Sequence, residues 1–333
     1  MARHKWDTVY IETEEGIKEG VAPVIISASR ATDIPAFYSE WLLNRLNKGY
    51  IKWINPFNSK PQYVSFSKAR VFVFWTKDAQ SLIPYLEEFD NRGINYYFLF
   101  TVNDYEKEGL EPALRSLDDR IETFRELSDR IGRNKVIWRF DPLILTDEIT
   151  VDKLLEKVYK VGSRLSDYTE KLVISFADIS AYRKVQSNLR KNKVNYIEFN
   201  PETMEETAKG LQEINKQWGI EIATCAEDMD LGRYGIRKNR CIDDELMIRL
   251  FPHDRVLMDF LNRGDYAEDR AKKLKDKGQR EHCGCIVSKD IGQYNTCCHQ
   301  CVYCYANSSP QTARSNYQKY LAADKDGESA IHL

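Results

Sequence analysis

At 333 residues the chain could form two average domains or one large α/β barrel, and either would bury an ample core. Its 49 basic and 51 acidic residues leave a formal net charge of −2, which excludes the overall basic signature of nucleic-acid binding but not a local basic groove. No run approaches the ~20 apolar residues that a membrane span needs, and the first residues lack the apolar core of a signal peptide, so a soluble, cytoplasmic protein with no membrane partner is expected.

Residues 1–23 read as an N-terminal strand extension, a strand pair punctuated by Gly16 and Gly20. The run VIISAS at 24–29 is apolar and β-branched until its polar end, the pattern of a strand buried on both faces of a parallel sheet. It opens into Arg30, Thr32, Asp33 and Pro35, and then into an amphipathic helix over 36–49 closed by Gly49. The unit recurs as strands at 71–78, 96–104, 135–142, 171–180 and 220–228, with helices at 81–90, 118–132, 151–165 and 202–219. This alternation over 24–228 predicts a parallel sheet with crossover helices, a partial or full TIM-like (β/α) barrel. The six strands end in polar residues: Ser29 and Arg30, Thr76 and Lys77, Asn103 and Asp104, Arg139 and Asp141, Ser175 and Asp178, Thr224 and Cys225. Any one strand must end in something polar, but six in succession point to a shared site at the face where barrel strands finish.

Beyond Cys225 the periodicity fades. Residues 229–282 read as an insertion or linker carrying Cys241, a helix at 242–250 and a charged, solvated helix and loop at 268–281. Residues 283–323 contain Cys283-Gly284-Cys285, the run IVSKDIGQYN, a cysteine loop and a helix near 316–323; residues 324–333 read as a frayed tail.

All eight cysteines lie in the last third of the chain, and clustered cysteines in a reducing compartment are metal ligands or catalysts more often than disulfides. Cys297, Cys301 and Cys304 stand in the spacing C-x3-C-x2-C with Tyr303 before the last. Three thiolates so placed can grip three irons of a [4Fe–4S] cluster and leave the fourth without a protein ligand. The competing reading is a zinc knuckle completed by His299 or Cys298. Cys225, Cys241, Cys283 and Cys285 then remain, the number that closes an auxiliary [4Fe–4S] cluster or a structural zinc site. These four are expected to converge.

Several stretches together resemble a bacterial family known only as domain of unknown function 1848: PVIISASRATDIPAFYSEW, VFWTKD, TVNDYEKEGLEP, VIWRFDPLI, ATCAED, CIDDEL and CGCIVSKDIGQYNTC with QCVYCYAN. The cysteine loop resembles that of radical S-adenosylmethionine (SAM) enzymes, and the order FWTKD, a strand with asparagine, RIETFRELSDRIG and VIWRFDPLI is distantly similar to the barrel of spore photoproduct lyase. In that superfamily the loop follows the first strand, whereas here it lies near the C-terminus. The resemblance therefore implies a circularly permuted barrel with IVSKDIGQYN beside VIISAS, or else a cluster carried on a C-terminal tail folded over the barrel.

The same resemblance implies reductive cleavage of SAM to a 5′-deoxyadenosyl radical that abstracts hydrogen from an unknown substrate, with a flavodoxin or ferredoxin as electron donor. It assigns SAM contacts to Ser29, Arg30, Thr32, Asp33, Lys77, Asn103 and Tyr303. Arg139 and Asp141 become candidate catalytic groups or, alternatively, a salt bridge of the barrel floor. A lyase-like nucleic-acid substrate rests on analogy alone, and a non-catalytic iron–sulfur or zinc protein is the reading from another class.

Overall fold

The chain begins with an antiparallel hairpin, β1 (Asp7–Thr13) and β2 (Gly16–Ala22), as the glycine punctuation predicts. A computed structural model describes residues 6–56, 58–262, 272–323 and 325–330. Next comes β3 (Ile25–Ala28), buried throughout. The helix expected over 36–49 is two helices meeting at Tyr38: α1 (Ile34–Phe37), capped by Asp33, and α2 (Ser39–Lys48). α2 ends at Gly49, whose φ of 79° suits a residue without a Cβ. β4 (Tyr50–Ile54) and β5 (Pro61–Ser65), not anticipated from the sequence, join the first hairpin in a small sheet of order β1-β2-β5-β4.

The repeating unit follows. β6 (Val71–Thr76) leads to α3 (Leu86–Asn91), β7 (Asn95–Thr101) to α4 (Leu117–Ile131), and β8 (Val136–Leu143) to β9 (Leu145–Thr146) and α5 (Val151–Leu165). β10 (Lys171–Phe176) precedes α6 (Arg183–Lys191), β11 (Tyr196–Ile197) and α7 (Pro201–Trp218). β12 (Glu221–Thr224) and β13 (Ile236–Lys238) are followed by α8 (Asp244–Leu250) and α9 (Arg255–Leu261), then β14 (Lys289–Asp290) and α10 (Pro310–Ala322). Of the charged stretch expected as helix and loop at 268–281, residues 268–271 lie outside the described residues, 272–274 are helical, Lys275 bridges Ile286, and 276–281 are turn and loop. Among the described residues no helix is long and apolar enough to cross a membrane.

Eight strands build the large sheet in the order β13-β12-β10-β8-β7-β6-β3-β14, and every neighbouring pair is parallel. From β3 to β13 the spatial order is the chain order, while β14, last in the chain, lies beside β3 with Lys289 opposite Ile26 and Asp290 opposite Ser27. The run IVSKDIG therefore sits next to VIISAS.

Two-residue alternation divides the sheet into faces. Ile26, Phe72, Phe74, Phe98, Phe100, Trp138, Phe140, Leu172 and Ile174 share a core with Trp41, Phe124, Leu154, Val158 and Leu211 of the helices. Ile25, Val71, Val73, Tyr97, Leu99, Ile137 and Val173, on the opposite face, pack instead against Ile242, Met247, Leu257 and Phe260. Of the partial or full TIM-like barrel expected from the alternation, the parallel sheet with crossover helices forms but the full barrel does not: the sheet is open, with β13 and β14 as its edges. In a closed barrel the inner-face residues would cover one another. Here the segment carrying α8 and α9 covers them, and edge strands of three and two residues build no ladder. Across the gap, Ile286 N–H donates to the Ile242 carbonyl at 3.1 Å.

The tail does not fray as expected over 325–330. The Gly327 carbonyl accepts from Trp41 Nε1 at 2.8 Å, that of Asp326 from Arg45 Nη1 at 2.9 Å, and Tyr50 O–H donates to the Glu328 carboxylate at 2.5 Å. Glu328 is buried because it also receives Glu14 N–H, tying tail to hairpin.

The approach of β14 to the β3 exit is tight at Gly292, where a Cβ would lie 2.6 Å from Ser29 Cβ and 3.0 Å from Thr32 Oγ1. Gly292→Ala is expected to lower the unfolding free energy by about 1–3 kcal/mol, the usual penalty of overpacking. Urea denaturation measures it, and an unchanged midpoint would refute the close contact.

Candidate functional site

The inner face of the sheet changes character along the strands. Below, it is apolar; at the strand ends the same alternation presents Ser27, Trp75, Arg139, Asp141 and Ser175. Trp75 Nε1 donates to Ser27 Oγ at 3.1 Å, and Ser27 Oγ donates to Asp290 Oδ2 at 3.0 Å. Asp290 also accepts the Arg30 and Gly292 N–H groups, so β14 is fixed by one carboxylate as well as by its ladder.

The loop after β14 carries Cys297, Cys301 and Cys304, and its seat is Asp33. One oxygen of that carboxylate accepts Ala36 N–H at 3.1 Å and Thr76 O–H at 2.7 Å; the other accepts Lys77 N–H and His299 Nε2, each at 2.7 Å. Thr32 Oγ1 accepts from Gln293 N–H at 2.8 Å and lies 2.7 Å from Thr296 Oγ1, while Ser29 Oγ accepts Ala31 and Thr32 N–H. Of the residues assigned by resemblance to SAM contact, Thr32 and Asp33 thus spend hydrogen bonds placing the loop, and Ser29 spends its own on the turn that carries them. Within it, Cys304 N–H donates to the Cys301 carbonyl at 3.0 Å and Asn307 Nδ2 to that of Cys297 at 2.7 Å.

Burial governs the ionisation of Cys297 and Cys301. Burial raises the Cys297 pKa, with Asp33, Cys304 and Cys301 adding to the effect. Burial likewise pushes Cys301 up to about 12 against the pull of Lys77. Donors are nonetheless present for thiolates: His299 N–H for Cys297, and Ala306 N–H, 3.3 Å from Cys304 Sγ. Cys298 is turned away, its Sγ toward the Ala313 and Thr296 carbonyls at 3.7 and 4.0 Å. His299 gives Nε2 to Asp33 and keeps Nδ1 buried without a hydrogen-bond partner. Three half-buried thiols in one loop, two of them with N–H donors and with Cys298 turned away, suit an iron–sulfur cluster with an open iron.

Beside Cys301 lies a network that the sequence reading caught only in part. Lys77 Nζ donates to Glu111 Oε1 at 2.6 Å and to Tyr303 Oη at 3.0 Å; Asn103 Nδ2 reaches the same two groups at 3.1 Å each. Tyr303 O–H donates to Glu111, and Arg120 pairs with its other oxygen at 3.7 Å. Glu111 and Arg120 lie outside the strand ends, in stretches that carry only the family resemblance, and were not singled out as site residues. Both side chains are fully buried. Burial works to raise the Glu111 pKa, but Lys77 and Arg120 outweigh it and hold the carboxylate below its ordinary value. Lys77 is raised: burial opposes its charge, and Glu111 and Cys301 prevail. Two cations on one carboxylate leave a net positive charge next to Cys301.

On the other side of Trp75, Arg139 and Asp141 form an ion pair, and Ser175 O–H donates to Asp141. The Arg139 guanidinium lies 5.1 Å from the Trp75 ring centroid and that of Arg30 4.9 Å. Arg30 also pairs with Asp290 at 3.7 Å and keeps Nη2 buried without a partner.

Cys225, Cys241, Cys283 and Cys285 do come together, across the open edge. Cys225 and Cys241 Sγ are 3.5 Å apart, and Cys285 Sγ accepts the Cys241 N–H at 3.3 Å. Hydrogen bonds from their neighbours lower the Cys225 and Cys285 pKa values, while donating raises Cys241 and Cys283. Among the described residues no set of three or more His, Cys, Asp or Glu side chains is gathered into a ready metal cage; these four sulfurs form a chain of contacts instead.

The family model described as Domain of unknown function (DUF1848) matches residues 25–306. No curated protein matches. Among solved structures, a candidate α-L-fucosidase of Bacteroides thetaiotaomicron is similar at 10% identity with a TM-score of 0.24, over 77% of this chain and 83% of that one, a likeness too low to carry an argument.

Removing one member of a fully buried ion network leaves its partners charged and unpaired, so Glu111→Gln is expected to destabilise the protein by about 3–5 kcal/mol. Because the folded Glu111 pKa is depressed, its contribution is full above the unfolded value of 4.5 and is lost as pH falls through the lower folded value. Denaturation curves from neutral to acid pH should show the variant's deficit shrinking below pH 4.5; a pH-independent deficit would contradict the assignment.

Proposed function

The chain belongs to the DUF1848 family, and from that footing we propose that it is a radical SAM-type enzyme built around Cys297, Cys301 and Cys304. The observation that carries this reading is the loop itself: three cysteines in the spacing C-x3-C-x2-C, with the Cys298 sulfur turned toward the Ala313 carbonyl, seated by Asp33 and Thr32 at the strand ends where a parallel α/β sheet builds its sites. The strand order supports a permuted ancestry, because moving β14 ahead of β3 makes the whole sheet run in chain order. In this reading the three cysteines hold a [4Fe–4S] cluster. When bound, such a cluster supplies an electron that splits SAM into methionine and a 5′-deoxyadenosyl radical, the species that takes hydrogen from substrate.

The chain's own residues have distinct tasks. Asp33 and Thr32 fix the loop, Ser29 holds the turn that carries them, and the His299 and Ala306 N–H groups point at the Cys297 and Cys304 sulfurs. Lys77, Asn103 and Tyr303, held in one network by Glu111, present positive charge and a hydroxyl beside Cys301, the place for a SAM carboxylate or ribose. Arg30 and Arg139, on Trp75, are assigned to the substrate side, with Asp141 orienting Arg139. The protein works in the cytoplasm with a flavodoxin- or ferredoxin-type donor.

One observation favours a second reading. The buried, unpaired Nδ1 of His299 could complete a zinc knuckle with the three cysteines, giving a non-catalytic protein. Anaerobic reconstitution separates the two. With iron, sulfide, dithionite and SAM, the wild type should form a brown cluster and release 5′-deoxyadenosine, and Cys301→Ala should form none. A colourless zinc protein that leaves SAM intact would sink the enzyme reading. Lys77→Ala should keep the cluster but weaken SAM binding by about tenfold or more, the loss of one charge-assisted contact; unchanged affinity would remove Lys77 from the SAM site.

A further inference from the structure

We propose that Cys225, Cys241, Cys283 and Cys285 bind a zinc ion that fastens together the two open edges of the large sheet. The four come from three separate segments. Cys225 follows β12, Cys241 lies three residues beyond β13, and the pair Cys283 and Cys285 precedes β14. β13 and β14 are the two unpaired edges, so the sulfurs lie where a closed barrel would have its missing ladder.

The spacing of the sulfurs distinguishes zinc from an auxiliary cluster. A tetrahedral site with Zn–S bonds of 2.3 Å sets neighbouring sulfurs about 3.8 Å apart, and the Cys225 and Cys241 sulfurs are 3.5 Å apart. Cys285 Sγ lies 3.3 Å from the Cys241 backbone nitrogen, and Cys283 is two residues before it in the same turn. A cubane must house four irons and four sulfides between its thiolates, which sulfurs in mutual contact do not leave room for. Drawing this chain of contacts into a tetrahedron takes side-chain rotation, while inserting a cubane would push three segments apart. Two of those segments are tied by Ile286 N–H on the Ile242 carbonyl, and Tyr97 O–H holds the Cys241 carbonyl at 2.7 Å.

The surroundings are those of metal thiolates. Cys241 Sγ accepts from Arg139 Nη1 at 2.8 Å and Asn239 Nδ2 at 3.2 Å; Cys285 Sγ accepts the N–H groups of Cys241 at 3.3 Å and Ile242 at 3.4 Å. Four thiolates on Zn²⁺ carry a charge of about −2, and Arg139 is a permanent cation placed against it. Gly284 lets the Cys283–Cys285 turn lie close to Arg240, whose Cγ would be 2.9 Å from an added Cβ. The zinc is structural: with four cysteines it has no open position. Through Cys241 it also fixes Arg139, so the metal is a positioning element for the strand-end site.

The test does not depend on SAM chemistry. The full-length Cys301→Ala variant, purified anaerobically from medium containing both zinc and iron, is expected to hold about one zinc per chain and no acid-labile sulfide. Adding Cys285→Ser should lower bound zinc at least tenfold. Iron and sulfide in Cys301→Ala that disappear with Cys285→Ser would overturn zinc in favour of a cluster; absence of both metals, or two thiols lost to a disulfide, would overturn the site. Should the double variant fail to fold, chelation of zinc from the wild type and refilling with cobalt(II) gives the answer. The visible bands of tetrahedral thiolate-bound cobalt are expected, and their absence would refute the site. Zinc retained in a protein that never cleaves SAM would leave this inference standing while the enzyme reading falls.

Discussion

The structure depends on a ladder of two residues. β14 pairs with β3 only at Lys289–Ile26 and Asp290–Ser27, yet this pairing delivers the three-cysteine loop to the strand ends. A ladder that short is weak by itself, and the chain reinforces it with polar groups that reach across it. Asp290 binds Ser27 and the Arg30 N–H; Thr32 binds Gln293; Asp33 binds His299. Because these bonds join residues more than 250 positions apart, the loop can take its place only after the whole sheet has formed. The covering of the inner face by α8 and α9 is part of the same solution, since it lies between β13 and β14 in sequence and leads the chain from one edge to the other.

Much of this was legible in the residues. Strands such as 71–76 and 171–176 are buried on both faces, and continuous apolar runs with polar ends mark that environment unambiguously. The polar ends were equally readable, because inward alternation must meet solvent somewhere, and Trp75, Arg139 and Asp141 are where it does. Convergence of four cysteines could be inferred from number alone. Closure of the barrel could not. Whether Ile25, Val71 and Val173 are covered by facing strands or by a helix is decided by residues 241–261, whose short helices carry little periodic signal. β13, reading Ile-Arg-Lys, is too short to announce itself.

Glu111 shows a different kind of blindness. It lies in the loop between β7 and α4, at no strand end and in a stretch that signals only family resemblance, and is fully buried where Lys77, Arg120, Asn103 and Tyr303 meet on it. Sequence reasoning finds residues that touch a cofactor by their chemical type, and so picked out Lys77, Asn103 and Tyr303. It has no handle on the group that holds them together, since a buried counter-charge is specified only by the three-dimensional sum of its neighbours.

The cations of the site follow a rule of the same electrostatic kind. Arg30 and Arg139 flank Trp75 between the two sets of cysteines, and burial works to lower both guanidinium pKa values. Cys285, Asp290 and Cys241 reverse that effect at Arg30, and Asp141, Cys241 and Cys225 at Arg139. A lysine in such surroundings can escape the cost of burial by losing its proton; arginine cannot. Placing arginine there makes the positive charge permanent, and a permanent buried cation favours thiolate in the sulfurs it touches. Lys77 survives as a cation on the other side because Glu111 sits 2.6 Å away and is itself held ionised by Arg120. The sulfurs and the aspartates thus hold the two arginines charged, while Arg139 works to lower the Cys241 thiol pKa against the burial and thiol hydrogen bonds that keep it raised.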